Sequence, residues 1–154
     1  MNRAQLTEKI LDAKRSKGLS WKAICKEIGG NSPVLITAAL LGQMRLDAAQ
    51  AKKAASLFKL SREEAAMLTE TPYRGSLPPG PPTDPLIYRF YELVQVYGTT
   101  WKALIEEEFG ADGVPADGIM SAIDYDMTIE KQPDPKGDRV KIVMTGKFLH
   151  YKRY

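Results

Sequence analysis

Apolar residues recur at helical spacing through the first seventy positions, interrupted at intervals by capping signals. Leu6, Ile10, Leu11 and Ala13 predict a first helix that stops at Gly18. Ser20 opens a second, which carries Trp21, Ile24, Cys25 and Ile28 and ends at Gly29-Gly30. Ser32-Pro33 opens a third: the serine caps, and proline at the first helical position lacks only an N–H that has no helical partner there. This helix runs from Val34 to Leu41 and stops at Gly42. Asp47 opens a fourth helix rich in Ala and Lys, and Ser61-Arg62-Glu63-Glu64 is a capping box for a fifth. Short helices joined by a glycine-containing turn are the helix-turn-helix pattern. Residues 1–75 are therefore expected to form a helical bundle resembling a helix-turn-helix DNA-binding domain.

Between Pro72 and Pro85 stand six prolines and two glycines, too many for a helix interior, so residues 76–84 read as an extended connector. The remainder, 85–154, follows a different pattern. Asp84-Pro85 predicts a helix running to Tyr97-Gly98, and Thr99-Thr100 starts another from Trp101 to Phe109. A Gly/Asp/Pro-rich loop covers 110–118. Two strand-like runs come next, Ile119 to Lys131 and Arg139 to Leu149, separated by the turn 132–138. In the first run Ile123, Tyr125, Met127 and Ile129 alternate with Asp124, Asp126, Thr128 and Glu130. Two strands alone are marginal in water. The expected fold class is α+β: a helical bundle, then a two-helix plus two-strand domain that completes its sheet by pairing with another subunit.

Composition changes this picture little but narrows the chemistry. The chain has 154 residues, 44% hydrophobic and 27% charged, which is globular usage. No apolar run approaches the ~18–20 residues that cross a bilayer, so no membrane partner is expected. The N-terminal residues lack the apolar stretch of a signal peptide. A single cysteine excludes an intrachain disulfide and fits a reducing compartment, hence a cytoplasmic location. One cysteine and one histidine also remove most transition-metal sites, and no metal is expected. The net charge of +3 conceals an asymmetry: 13 Lys/Arg against 7 Asp/Glu up to Arg74, then 9 against 12. A basic first half is compatible with nucleic acid. The third helix opposes that reading, because Pro33, Val34, Leu35, Ile36 and Thr37 at its start cannot reach base edges as Arg, Lys, Asn or Gln do.

The candidate chemistry lies on the segment Leu86 to Tyr97. Tyrosines aside, its only polar side chains are Arg89, Glu92 and Gln95. At 100° per residue they make one stripe about 120° wide on an otherwise apolar helix. A helix so apolar packs on most sides, in a large core or between subunits, and this chain is too small for the first. Arg89 and Glu92 are then either a solvated i, i+3 salt bridge or a semi-buried pair lining an interface pocket. Elsewhere, Cys25 reads as core, His150 as surface or interface, Glu106-Glu107-Glu108 as a solvated face, and Trp21 and Trp101 as packing anchors at helix starts.

These residues resemble the cyanase family (cyanate hydratase, also called cyanate lyase). The resemblance is carried by Pro82-Thr83-Asp84-Pro85, Tyr88-Arg89-Phe90-Tyr91-Glu92, Gln95-Val96-Tyr97-Gly98-Thr99-Thr100, Lys102-Ala103-Leu104, Glu108-Phe109-Gly110 and Asp117-Gly118-Ile119-Met120-Ser121-Ala122-Ile123. Thr37-Ala38-Ala39-Leu40-Leu41-Gly42-Gln43 also matches, and Gly146-Lys147-Phe148-Leu149 does so more loosely. Residues 111–116 depart from the bacterial pattern, resemble the non-bacterial branch, and should loop out. The resemblance implies bicarbonate-dependent conversion of cyanate to ammonia and carbon dioxide through carbamate. It implies a homodecamer of five dimers with sites between subunits and no cofactor other than bicarbonate as co-substrate; the third helix, not the resemblance, gives the expectation of no nucleic-acid partner. The family's catalytic residues fall on Arg89, Glu92 and Ser121, with Glu92 either orienting Arg89 or moving a proton. The rival readings are a helix-turn-helix DNA-binding regulator and a purely structural oligomerisation module.

Overall fold

Cap chemistry decides where the helices begin. The computed structural model describes residues 1–30 and 32–152. Five helices make up the N-terminal part: α1 (Arg3–Ser16), α2 (Trp21–Ile28), α3 (Pro33–Leu40), α4 (Ala48–Phe58) and α5 (Arg62–Met67). The hydroxyl of Ser20 accepts from Ala23 N at 3.1 Å, Asp47 from Gln50 N at 2.8 Å, and Ser61 from Glu64 N at 3.2 Å. Each satisfies an amide that the first helical turn leaves without a partner. Asn2 caps α1 in the same way, with Gln5 reaching back to close the box.

The packed face of each helix is the periodic one. Leu6 and Ile10 meet Ile24 and Ile28, Ile36 and Leu40, Ala51, Ala54 and Phe58, and Leu68 in one buried cluster. Cys25 belongs to it; its Sγ lies 3.6 Å from the Pro33 carbonyl oxygen and 3.5 Å from the Thr37 hydroxyl. Two polar ties close the bundle. Arg3 donates to the carbonyls of Ala39 (2.9 Å), Met44 (3.0 Å) and Met67, gathering three chain segments distant in sequence. Arg3→Ala is expected to lower stability by about 2 kcal/mol, the worth of a charged donor shared among half-buried acceptors. Urea unfolding of the full chain measures it; an unchanged midpoint would mean that water replaces the guanidinium without loss.

In the second tie Lys9 Nζ reaches both Glu64 oxygens at 2.7 Å, and Ser61 N donates to the same carboxylate at 2.7 Å. The Lys9 hydrogen bond first, then that of Ser61, holds the Glu64 carboxyl below its ordinary 4.5. A carboxyl that is more acidic when folded stabilises the fold above its unfolded value, and the contribution disappears as pH falls through the depressed one. Stability should therefore drop as pH falls below 4.5, and Glu64→Gln should be less stable at pH 7 yet flatter on the acid side. Parallel acid limbs for the two proteins in denaturant titrations would refute this.

The C-terminal part consists of α6 (Pro85–Glu108), β1 (Gly118–Gln132) and β2 (Arg139–His150), the strands pairing as a two-stranded antiparallel sheet. Here one expectation is corrected. The two helices expected to meet at Gly98-Thr99-Thr100 are one continuous helix of 24 residues. An interior glycine costs only ~1 kcal/mol against alanine, less than breaking a hydrogen-bonded helix there. Trp101 accordingly lies within α6 and is 41% exposed, so it does not anchor a helix start. Of the three glutamates, Glu107 and Glu108 are solvated, whereas Glu106 is half-buried and paired with Lys102.

The 111–116 segment does loop out, as a tight hairpin. Ala111 and Val114 exchange backbone hydrogen bonds at 3.1 and 2.9 Å around Asp112 (φ 51°) and Gly113 (φ 75°). Two consecutive positive φ values are what a two-residue Asp-Gly turn supplies. Packing divides the chain into residues 1–76 with 126–144, and residues 77–125 with 145–154. Within the first unit the Ser32 hydroxyl donates to Asp126 at 2.5 Å, joining the start of α3 to the distal hairpin. The Ser32 hydrogen bond keeps the Asp126 carboxyl below its usual value.

Candidate active site

Asp84 sets the phase of α6. Its Oδ1 accepts from Leu86 N at 3.0 Å and Ile87 N at 2.9 Å, with Pro85 in the first turn. One turn further on, Arg89 and Glu92 share a face, and the Arg89 guanidinium donates to Glu92 Oε1 at 2.9 Å. Their side chains are 63% and 42% exposed. Glu92 is the only partner of Arg89 among the described residues, so most of the planar fork faces outward. The rings of Tyr88 and Tyr91 stand 5.8 Å apart beside it.

No residue of α6 is buried within the chain. Leu86 is 68% exposed, and Val94, Val96, Tyr97 and Leu104 are similarly bare. An exposed apolar surface of this extent marks an interaction face in a globular protein. The strands repeat the pattern, with Ile123 97% exposed on β1.

Ser121 occupies a different environment, buried near the start of β1. Its Oγ accepts hydrogen bonds from the backbone amides of Ile123 (3.0 Å) and Asp124 (2.9 Å). A hydroxyl has two acceptor lone pairs and one proton. With both lone pairs engaged, what remains is the O–H, a donor whose oxygen is held by two fixed amides. This arrangement suits stabilising an anion and does not suit nucleophilic attack. Among the described residues no hydrogen bond or ion pair links Ser121 to Arg89 or Glu92 within the chain. The fold thus links two of the three candidate residues by a hydrogen bond and does not link the third to them.

Other candidates lie elsewhere. His150 is exposed and meets Phe148 edge-on at 4.8 Å, while Phe148 stacks on Phe109 at 4.4 Å. Among the described residues no group of three or more His, Cys, Asp or Glu side chains is placed to hold a metal ion. A cavity of about 500 Å³ opens between the end of α6 and the 110–115 loop, and none of the three candidate residues lines it. Backbone N–H groups beside Ser121 are expected from the sequence, but which amides they are is not, because a backbone donor has no signature of its own; the structure places those of Ile123 and Asp124 on the Ser121 oxygen.

The chain matches two domain families that together span nearly all of it: "Cyanate hydratase, N-terminal" over residues 3–72 and "Cyanate lyase C-terminal domain" over residues 79–153. The chain belongs to the cyanate lyase family. It is 56% identical to the cyanate hydratase of Albidiferax ferrireducens and 55% identical to that of a Polaromonas species, in both cases over 154 residues and the whole of each chain. The crystal structure of cyanase from T. urticae is similar with a TM-score of 0.76 and 37% identity, covering 94% of this chain and 96% of the other. These full-length matches to bacterial cyanate hydratases take in the 111–116 loop, so that loop does not set the chain apart from bacterial members of the family. Membership in the cyanate lyase family also disfavours the DNA-binding reading. In α3 Ile36 is buried and Val34, Leu35 and Thr37 are half-buried, leaving Pro33 exposed at its start. No described helix is long and apolar enough to cross a membrane.

Proposed function

We propose that this chain is a cyanate hydratase that decomposes cyanate with bicarbonate as co-substrate, giving ammonia and carbon dioxide through carbamate, without metal or organic cofactor. The match of the whole chain to both halves of the family carries this reading. The catalytic residues are Arg89, Glu92 and Ser121.

The chemistry requires two anions to meet. An oxygen of bicarbonate attacks the cyanate carbon, and its proton passes to nitrogen, leaving a dianionic adduct. Loss of carbon dioxide and uptake of one proton at nitrogen give carbamate. A second proton on nitrogen allows the C–N bond to break, releasing ammonia and the second carbon dioxide. Arg89 supplies a permanent charge and a planar fork for a carboxylate-like group. The 2.9 Å contact to Glu92 supports an orienting role for that carboxylate. Ser121 donates its hydroxyl to developing anionic charge, and holding both reactants in place supplies much of the remaining acceleration.

Among the described residues of a single chain no hydrogen bond or ion pair joins Ser121 to the Arg89–Glu92 pair, and α6 is uncovered, which supports a site assembled from more than one copy. The assembly is a homodecamer of five dimers, in which the apolar faces of α6 and the two-stranded sheets cover one another. Ammonia release from cyanate, with and without bicarbonate, tests the activity. Light scattering tests the assembly. A folded monomer with full activity would refute the shared site, and bicarbonate-independent release would refute the mechanism.

A further inference from the structure

Gly146 lies in the middle of β2 with ordinary strand backbone, outside the positive-φ region where glycine is conformationally required. A glycine inside a strand weakens it, and its presence often marks a place where another backbone comes close. That is the case here. A methyl group on Gly146 would stand 2.5 Å from the carbonyl oxygen of Ser121, 2.6 Å from Met120 Cγ and 3.4 Å from Met120 Sδ. The methionine side chain can turn aside. The carbonyl cannot yield without moving the Ser121 backbone, and with it the hydroxyl held at 3.0 and 2.9 Å by the Ile123 and Asp124 amides.

We propose that Gly146 is a positioning residue for the cyanate reaction: its missing side chain lets β2 close on β1 so that the Ser121 hydroxyl is held on its two amides with its proton directed to the substrate anion. The proposal rests on the functional reading above and adds a residue to it. Gly146 touches no substrate and acts only through Ser121.

This makes a double-mutant cycle the decisive experiment. Cyanate kinetics are measured on the assembled full-length protein as wild type, Gly146→Ala, Ser121→Ala and the double variant. Gly146→Ala should lower kcat at least about tenfold with little change in KM, as expected when a catalytic donor is misplaced by a fraction of an ångström. In the Ser121→Ala background the same substitution should cost less than about twofold, because the group it displaces is gone. The cycle is repeated on Met120→Ala, which removes the side-chain crowding and retains the contact with the Ser121 carbonyl. Gly118→Ala is the control. A methyl there would meet the Leu149 carbonyl oxygen at 2.4 Å and Phe148 at 2.7 Å, a comparable crowding of the same sheet. Its effect should be equal in both backgrounds.

Equal losses from Gly146→Ala with and without the serine hydroxyl would overturn the proposal and make Gly146 a purely structural residue. So would a Gly118→Ala loss that depends on Ser121 as strongly. An inactive wild type overturns the functional reading and this proposal with it; an active wild type with uncoupled losses overturns the proposal alone.

Discussion

Turnover of cyanate at saturating bicarbonate is expected to fall at least about tenfold in Arg89→Lys, the ~1.4 kcal/mol of one good charge-assisted hydrogen bond. Lysine keeps the positive charge but loses the planar fork that matches a carboxylate-like group with two parallel N–H bonds. Arg89→Ala should fall further, by about a hundredfold or more, because the Glu92 carboxylate then faces an incoming anion without its partner. The competing view treats the pair as an ordinary i, i+3 salt bridge, and in a single chain it resembles one, at 2.9 Å with both side chains substantially exposed. Such pairs are worth roughly 0–1 kcal/mol, so on that view Arg89→Lys would be nearly silent. The two views differ most in the lysine variant, with oligomeric mass checked alongside. Near wild-type turnover and affinity in Arg89→Lys would return the residue to the surface.

Ser121→Ala should lose about 10²–10³-fold in turnover while keeping the assembly, the usual cost of deleting one donor to an oxyanion. The geometry adds a finer expectation. The Ile123 and Asp124 amides occupy the Ser121 lone pairs, so on the proposed reading the serine acts by donating its proton. Ser121→Cys, which keeps a nucleophilic atom but has only a weak S–H donor, should therefore be nearly as impaired as alanine. A cysteine variant close to wild type would instead favour a nucleophile. Unchanged kinetics in Ser121→Ala would remove the residue from the site.

How much of this was legible in the sequence depends on the range of the interaction involved. Ser20, Ser32, Asp47, Ser61 and Asp84 were readable as caps because a cap bonds an amide two or three residues away. The strand runs were readable because alternation is local too, and the observed bounds of β1 and β2 differ from the expected ones by one residue at each end that moved. The junction at Gly98 was misread because punctuation by glycine is a matter of about 1 kcal/mol, which an uninterrupted helix outweighs.

By itself, then, the sequence determined the helical bundle with its capped starts, the Arg89–Glu92–Gln95 stripe on an apolar helix, the paired strands and the family to which those motifs belong. Each is written in residues close along the chain, where backbone geometry dictates who meets whom. Only the tertiary structure decided that Ser121 turns its oxygen onto the amides of Ile123 and Asp124, that Ser32 reaches Asp126, and that Gly146 stands against the Ser121 carbonyl. Among the described residues it also places no hydrogen bond or ion pair between Arg89 and Ser121 within one chain. The Ser32–Asp126 and Gly146–Ser121 relations depend on strand pairing and packing across distant segments, and no periodicity along a chain encodes which atoms face one another once it has folded. The Ser121 turn is local, but a serine inside an alternating strand run carries no sign that its oxygen folds back onto the next amides.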